Sequence, residues 1–450
     1  GFWRLALCND YLIIEFILEE LPDLTFNALF LLLLLSLLLL LLIIIIIIII
    51  IYYNFARKSD FDHSNFMISP LHIPINFFLF NLLFIDFYYH YSSSKVLKLD
   101  AAQGTLSVAV DLLNTLAQAY FEEVSSTADS SSRSQAVRAL EGDEERMHTK
   151  NISFITEFIL VGLIEHSETQ FPFFFLFLGI YVVTVAGNLG LLTLIGLNSP
   201  LHTPMYYFLF HLSFIDLCYS TVITPKLLIN FVSAMNTISY EGCMTQLFFY
   251  CFFVSAECYV LTVMAYDRYV AICKPLLYTV TMSPQVCSLL TLIVYTGAFI
   301  GAWAHTGCML RLTFCKDIIN HYMCDILPLL ELSCTSTYIN EVVVFIVVGF
   351  DVGVPSITII VSYTFILSSI IQIHSTEGRS KAFSTCSSHI IVVSVFFGSG
   401  AFMYLHPSSV LSMDQGKVST VFYTIVVPML NPLIYSFRNK EVKVALRKTL

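Results

Sequence analysis

Residues 243–273 read CMTQLFFYCFFVSAECYVLTVMAYDRYVAIC. From Cys243 to Arg268 is 25 steps, about 37 Å along an α-helix at 1.5 Å per residue. That length crosses the ~30 Å hydrocarbon core of a bilayer and emerges at both faces. Glu257 is the only acid or base before Asp267. The stretch is therefore a membrane helix with a cysteine at one end and a charged pair at the other.

The composition agrees. The chain has 450 residues, 57% hydrophobic and only 12% charged, with a mean hydropathy of +0.79. Soluble domains carry about 25% charged residues, so half the usual charge leaves lipid to cover much of this surface. The net charge of −10, from 22 basic and 32 acidic residues, argues against a nucleic-acid partner, which needs clustered Lys and Arg. From Met147 onward, apolar stretches recur between short polar breaks, predicting helices at about 171–197, 204–232, 243–272, 284–304, 339–371, 382–404 and 418–435. Strand-like alternation with a turn every ten residues is absent, which excludes a membrane β-barrel pattern. The fold class is an all-α membrane protein, a bundle of seven transmembrane helices.

Seven crossings put the two ends of the bundle on opposite sides. Arg268, Lys274, Arg379, Lys381, Arg438, Lys440, Lys443, Arg447 and Lys448 follow the third, fifth and seventh spans, whereas the other side carries mainly Lys150, Arg311, Lys316 and Lys417. The excess of basic residues places the C-terminus in the cytoplasm and the start near Met147 outside. Asn151-Ile152-Ser153 is a glycosylation acceptor, usable only on the outer side. Cys243, Cys315, Cys324 and Cys334 also fall on that side. Four cysteines in an oxidising compartment suggest two disulfides, for which the sequence alone allows three connectivities.

Several motifs in order carry a resemblance. Gly187-Asn188 lies in the first span, LHTPMYYFL covers 201–209, and Asp216 lies in the second. MAYDRYVAIC ends the third, Ser362-Tyr363 lies in the fifth, KAFSTCSSH covers 381–389, and PMLNPLIYSFRN covers 428–439. Together they span nearly all of residues 147–450, and the chain resembles the olfactory receptors of the rhodopsin-like G-protein-coupled family, with the Leu-His-Thr-Pro form similar to the tetrapod-type subgroup. The resemblance implies a receptor and not an enzyme: a plasma-membrane protein that binds a small, volatile odorant in the outer half of the bundle and activates a heterotrimeric G protein of the olfactory stimulatory type. No P-loop, HExxH, GxSxG or paired zinc-type CxxC motif is present, and these are the signatures of the commonest alternative chemistries.

The resemblance implies roles for individual residues. Asp267, Arg268, Tyr269, Tyr363, Lys381, Asn431, Pro432 and Tyr435 form the coupling switch: Asp267 can hold Arg268, and releasing it offers a cationic donor to a partner. Pro432 bends the seventh helix by removing a backbone donor, which lets Tyr435 move between two packings. Asn188, Asp216, Glu257 and Asn431 resemble the family's internal polar cluster, which holds either a sodium ion or a protonated hydrogen-bonded network with no ion; no other cofactor is implied. Cys243 should pair with Cys324 and Cys315 with Cys334. Counting from the motifs gives a ligand pocket of Tyr250, Cys251, Val254 and Ser255, with Val347, Asp351, Gly400, Ala401, Tyr404 and Thr424 from the fifth to seventh helices. Most are apolar or weakly polar, which suits recognition by shape with one or two hydrogen bonds. Asp351 stands apart as an acid: it either selects a ligand with a donor or positive group, or bonds a neighbouring helix.

There are departures from the family pattern. Phe396-Phe397-Gly398 stands where Phe-Tyr-Gly is usual, keeping the ring and losing a hydroxyl, and Tyr295 takes the place of a tryptophan in the fourth helix. The family also has a short N-terminus, whereas here 146 residues precede Met147. They carry 8 Lys and Arg against 17 Asp and Glu, while residues 147–450 carry 14 against 15. The segment holds a Leu/Ile tract at 29–51, long enough to cross a bilayer but of low complexity. SPLHIPINFFLFNLLFIDFYY at 69–89 matches SPLHTPMYYFLFHLSFIDLCY at 199–219 at 13 of 21 positions. Residues 1–146 are read as an atypical, non-native leader carrying a degenerate receptor-like fragment, and 147–450 as the receptor domain. The rival readings are a membrane transporter or channel, and a nonfunctional read-through product of a receptor gene.

Overall fold

The computed structural model describes residues 155–163, 167–233, 236–405, 413–438 and 440–449. The tract at 29–51, the repeated segment at 69–89, the rest of the leader and Asn151 lie outside the described residues, as do the side chains of Lys381 and Tyr404.

A short strand, β1 (Glu157–Leu160), precedes the helices α1 (Ser167–Leu197) and α2 (Pro204–Val232). Then come β2 (Thr237–Ser239), α3 (Tyr240–Cys273), α4 (Pro284–Met309), β3 (Ile318–Ile319), α5 (Tyr338–Gln372) and α6 (Thr376–Leu405). The seventh span, α7, is compound: an α-helix at Met413–Val421, a π-helical turn at Phe422–Val426 and a second α-helix at Val427–Arg438. The amphipathic α8 (Lys440–Thr449) follows. Six of these helices are long and apolar enough to cross a membrane; in α6 the apolar part is shorter, Cys386–Phe402. Together they form a seven-helix membrane bundle.

Local chemistry fixes several helix starts. Pro204 and Pro284 occupy first-turn positions, where the missing N–H costs nothing and φ is already helical. Ser239 accepts from Gly242 N at 3.0 Å, and Ser283 accepts from Val286 N at 3.4 Å, each satisfying an orphan donor of the first turn. Most helices extend beyond their apolar stretches: α4 runs to Met309 rather than 304, and α6 begins at Thr376 rather than 382. Hydropathy marks where lipid ends, but a helix continues as long as its backbone bonds do. The basic segment around Arg379 is thus the first turn of α6 and not a loop.

The helix read first is the hub. In its most apolar window α3 is 89% buried inside the bundle, against 28% for α1 and for α5, whose remaining faces are left for lipid. Aromatic rings fill the space around α3: Phe248 and Phe252 stack at 6.4 Å, Phe252 stacks on Tyr295 of α4 at 6.2 Å, and Tyr219 of α2 stacks on Tyr250 at 6.2 Å. Tyr295 also bonds His211 Nδ1 through its hydroxyl at 3.2 Å, which ties α4 to α2.

One end of the bundle is pinned covalently. Cys243 at the start of α3 is bonded to Cys324, with Cα atoms 5.5 Å apart, and Cys315 to Cys334, at 5.6 Å. Beside these bonds β1 lies between β2, antiparallel, and β3, parallel. Phe158 of β1 is buried edge-on against Phe314 at 5.3 Å. The four residues of β1 are too few for their alternation to announce a strand, and the sequence reading missed it.

Gly187 explains the Gly-Asn pair of α1. A Cβ there would lie 2.9 Å from Cγ of Pro432 and 3.1 Å from its Cβ, so the glycine lets α1 close on the proline turn of α7. Gly187→Ala should destabilise the receptor by about 1–3 kcal/mol through overpacking, read as a lower thermal transition in lipid nanodiscs. Cys324→Ala should cost about 2–5 kcal/mol and reduce surface-exposed receptor in cell-surface labelling. It should do so more than Cys315→Ala, because the bond to Cys243 spans 81 residues and the other 19.

Candidate functional site

Between α3, α5, α6 and α7, toward the disulfide-bonded end, lies a cavity of about 660 Å³, counting the part open to the outside. Helix α3 contributes Tyr250, Cys251, Val254, Ser255 and Cys258, spaced so that they fall on one helical face. α4 adds His305, and the short helix Ile326–Leu330 after β3 adds Ile326. α5 supplies Val348, Asp351 and Val352, α6 supplies Phe396, Phe397, Gly400 and Ala401, and α7 supplies Tyr423. Seven of the ten residues read from the sequence as pocket residues line this cavity.

Val347 and Thr424 do not line it. Val347 turns toward α4, where its Cγ1 lies 3.4 Å from the point a Cβ on Gly301 would occupy, and its neighbour Val348 faces the cavity instead. Thr424 sits within the π turn of α7, which holds one extra residue per turn and shifts the helical phase by one position. Tyr423 therefore points inward, while Thr424 donates to Thr420 O at 2.7 Å and lies 3.1 Å from the Tyr322 hydroxyl. Cys258, His305, Ile326, Val348, Val352, Phe396, Phe397 and Tyr423 line it but were not among the pocket residues expected from the sequence. A lone histidine in an apolar span and a phase shift inside a helix leave no pattern to read.

Asp351 does two things at once. Its Oδ2 accepts from Ser255 Oγ at 2.6 Å and its Oδ1 accepts from the Tyr259 hydroxyl, both on α3, and the same carboxylate lines the cavity. Across the cavity the Tyr250 and Tyr423 hydroxyls lie 3.3 Å apart, and Tyr423 donates to Thr420 at 3.3 Å. The loop carrying Cys324 closes the outer end: Gln246 of α3 accepts from Cys324 N at 2.9 Å and donates to Val222 O at 3.1 Å. In that loop Asp325 Oδ1 accepts from Ile326 N at 2.7 Å. Burial pushes its carboxyl up to about 6, and burial, aided by the Lys417 charge, pushes His321 down to about 3.

Below the cavity is the polar cluster. Asn431 Nδ2 donates to Asp216 Oδ2 at 2.8 Å and to Glu257 Oε1 at 3.4 Å, joining α7 to α2 and α3. Asn188 of α1 donates to Thr184 O at 3.0 Å and to Pro428 O at 3.1 Å. Pro432 removes one backbone donor from α7, and the Asn188 side chain bonds a carbonyl in the preceding turn. Asp216 Oδ1, Glu257 Oε2, Asn188 Oδ1 and Asn431 Oδ1 are buried without a hydrogen-bond partner among the described residues. Four orphaned oxygens, two of them from carboxyl groups, are the donor set a small hard cation takes.

At the far end of α3, Asp267 and Arg268 are both buried. Asp267 Oδ1 accepts from the Tyr278 hydroxyl at 2.9 Å, a contact from the short helix Tyr278–Thr281 that the sequence reading did not include. Arg268 stands within electrostatic reach of Tyr363, Cys386, His389 and Tyr435. Tyr269 is fully buried, its ring 5.8 Å from Phe365 of α5, so it packs rather than faces outward. The Tyr435 hydroxyl is buried with no partner among the described residues. His389, quoted in the sequence motif but given no role there, links three helices. Its Nε2 lies 3.1 Å from Leu261 O of α3 and its Nδ1 2.6 Å from the Tyr363 hydroxyl of α5. A carbonyl only accepts, so Nε2 carries the hydrogen and the neutral ring accepts from Tyr363 at Nδ1.

Comparison with known proteins completes the description. The family profile described as "Olfactory receptor" matches residues 177–450. "Olfactory receptor 8B8" of Mus musculus is 72% identical over 305 residues, covering 68% of this chain and 98% of that protein. The protein of the same name from Homo sapiens is 70% identical over the same length and coverage, and "Olfactory receptor 8B3" of Homo sapiens is 72% identical with 97% of its length covered. Among solved structures, squid rhodopsin aligns with a TM-score of 0.51 at 16% identity, over 63% of this chain and 81% of that one. That likeness shows the rhodopsin-like fold. The chain belongs to the olfactory receptor family, whose members are multi-pass membrane receptors and not enzymes.

Proposed function

We propose that this chain binds a small organic odorant in the cavity between α3, α5, α6 and α7 and, when occupied, activates a heterotrimeric G protein of the olfactory stimulatory type at the opposite end. The observation that carries the reading is the connected path through α7. Tyr423 faces the cavity and Tyr250, two turns later Asn431 holds Asp216 and Glu257, and one turn beyond Tyr435 lies near Arg268. A ligand that moves Tyr423 acts on the helix that anchors the rest. The switch residues are Asp267, Arg268, Tyr269, Tyr363, Lys381, Asn431, Pro432 and Tyr435, with His389 and Tyr278 added as partners.

The disulfide end faces outward and the Asp267-Arg268 end the cytoplasm. The excess of basic residues at the latter supports this, as does the need of disulfides for an oxidising compartment. The G protein's landing surface is then the segment after α3, next to the buried Arg268, where Leu276, Leu277 and Val280 are exposed, Leu276 by 94%. Apolar side chains on a polar face suit a protein partner. Arg268→Ala should lower ligand-evoked cyclic AMP by about tenfold or more at unchanged surface expression. Ligand-gated current that persists in Arg268→Ala cells lacking the G protein would favour a channel.

The orphaned oxygens of Asn188, Asp216, Glu257 and Asn431 fit a sodium ion, which when bound supplies the positive charge that two adjacent carboxylates lack. Asp216 and Glu257 would hold it, and Asn431 keeps both in place. Replacing choline with sodium should then raise thermal stability, by roughly 1.4 kcal/mol at ten times the dissociation constant, and Asp216→Asn should abolish the difference. Equal stability in the two salts would instead identify a protonated network.

A further inference from the structure

The cavity's polar groups are few and lopsided. Among the described lining residues none is Lys or Arg, while Asp351 presents a carboxylate that is already a hydrogen-bond acceptor twice over. An ionised carboxylate has about four acceptor positions, so capacity remains. On α4, His305 is 95% buried and lines the same cavity. A neutral imidazole carries one donor and one acceptor nitrogen that a ligand can meet. Asp325, next in sequence to the lining residue Ile326, has its Oδ2 buried without a partner among the described residues. The rest of the wall is hydrocarbon, aromatic ring, thiol and hydroxyl.

We propose that the cavity is built for a small, mainly hydrocarbon molecule bearing one hydroxyl group, which donates its hydrogen to Asp351 and accepts one from His305. This deepens the ligand-receptor reading above and rests on it. Each alternative polar group fails on one count. A carboxylate ligand meets Asp351 with the same charge. An ether or ester accepts from His305 but offers Asp351 nothing. An ammonium serves Asp351 but must shed its water to enter an apolar chamber, a cost that a neutral hydroxyl avoids. A hydroxyl is donor and acceptor at one atom. Because Ser255 and Tyr259 hold Asp351 from α3, a ligand that bonds the same carboxylate loads the contact between α3 and α5 directly. Asp351 and His305 are then the residues that set specificity, and Phe396, Phe397 and Ile326 the ones that set size.

The full chain in lipid nanodiscs tests this with four probes of similar size: 1-octanol, octylamine, octanoic acid and 1-methoxyheptane, each titrated against thermal stability. The expected result is half-maximal stabilisation by octanol at a concentration about tenfold or more below each of the others, the size of discrimination a site gains by pairing a substrate hydroxyl. Asp351→Asn should bring octanol within about threefold of the ether and leave the ether unchanged, whereas His305→Phe should weaken octanol and the ether, which both accept from it, more than octylamine. A purely structural role for either residue would weaken all four probes alike. If Asp351→Asn fails to reach the membrane, Ser255→Ala serves instead: removing one donor to the carboxylate should widen the preference for octanol over the ether. Equal response to alcohol and ether, preference for the amine, or no stabilisation by any probe overturns the proposal. Basal cyclic AMP, compared with Arg268→Ala, separates the two readings: its fall without a hydroxyl preference leaves signalling intact and removes this inference, whereas a hydroxyl preference without that fall does the reverse.

Discussion

The structure depends on putting two acids, Asp216 and Glu257, inside a membrane bundle. An acid near the centre of a bilayer costs about 2.5–3.5 kcal/mol on insertion scales, and here two of them share one site. The cost is offset where a single amide, Asn431 Nδ2, bonds both. That amide ties α7 to α2 and α3, and Asn188 ties α1 to the same stretch of α7 through Pro428 O. Four helices are thus held by two asparagines next to a proline that has already loosened the seventh. The helix that carries this amide also carries Tyr423, which lines the cavity, and Tyr435, which lies near Arg268.

The same constraint accounts for where the molecule is rigid and where it can give. The disulfide end is locked by Cys243–Cys324, by Cys315–Cys334 and by the small sheet around β1. The opposite end has no such bonds among the described residues and is closed by side chains instead: Tyr278 on Asp267, and His389 between Leu261 and Tyr363. Covalent closure on one side and hydrogen-bonded closure on the other is the asymmetry a switch needs, because only the second can open without breaking chemistry.

Much of this was legible in the residues. The third helix could be read end to end, since an apolar run bounded by Cys243 and Asp267-Arg268 leaves one interpretation. Asp216 and Glu257 stood out as acids placed where acids are expensive, and the family resemblance supplied Asn188 and Asn431 beside them. What escaped had no pattern to betray it. Thr424 and Tyr423 exchange places because a π turn advances the phase within a helix that hydropathy sees as continuous. His305 is one histidine in an apolar span, indistinguishable by sequence from a packing residue. Strand β1 is too short for alternation, and Tyr278 meets Asp267 only because the chain folds back after Lys274. Those are facts of three-dimensional proximity, and local sequence does not encode them.

The central claim is that α7 carries the ligand's effect from the cavity to the polar cluster. A double-mutant cycle tests it most directly: ligand-evoked nucleotide exchange on the G protein in Tyr423→Phe, in Asn431→Ala and in the two combined. Sites more than about 7–10 Å apart with no shared partners add to within about 0.3–0.5 kcal/mol, and these two residues stand eight positions apart, about 12 Å along a helix. Transmission through α7 predicts that the double variant loses clearly less than the sum of the single losses, because either break already severs the path. Strict additivity would contradict it.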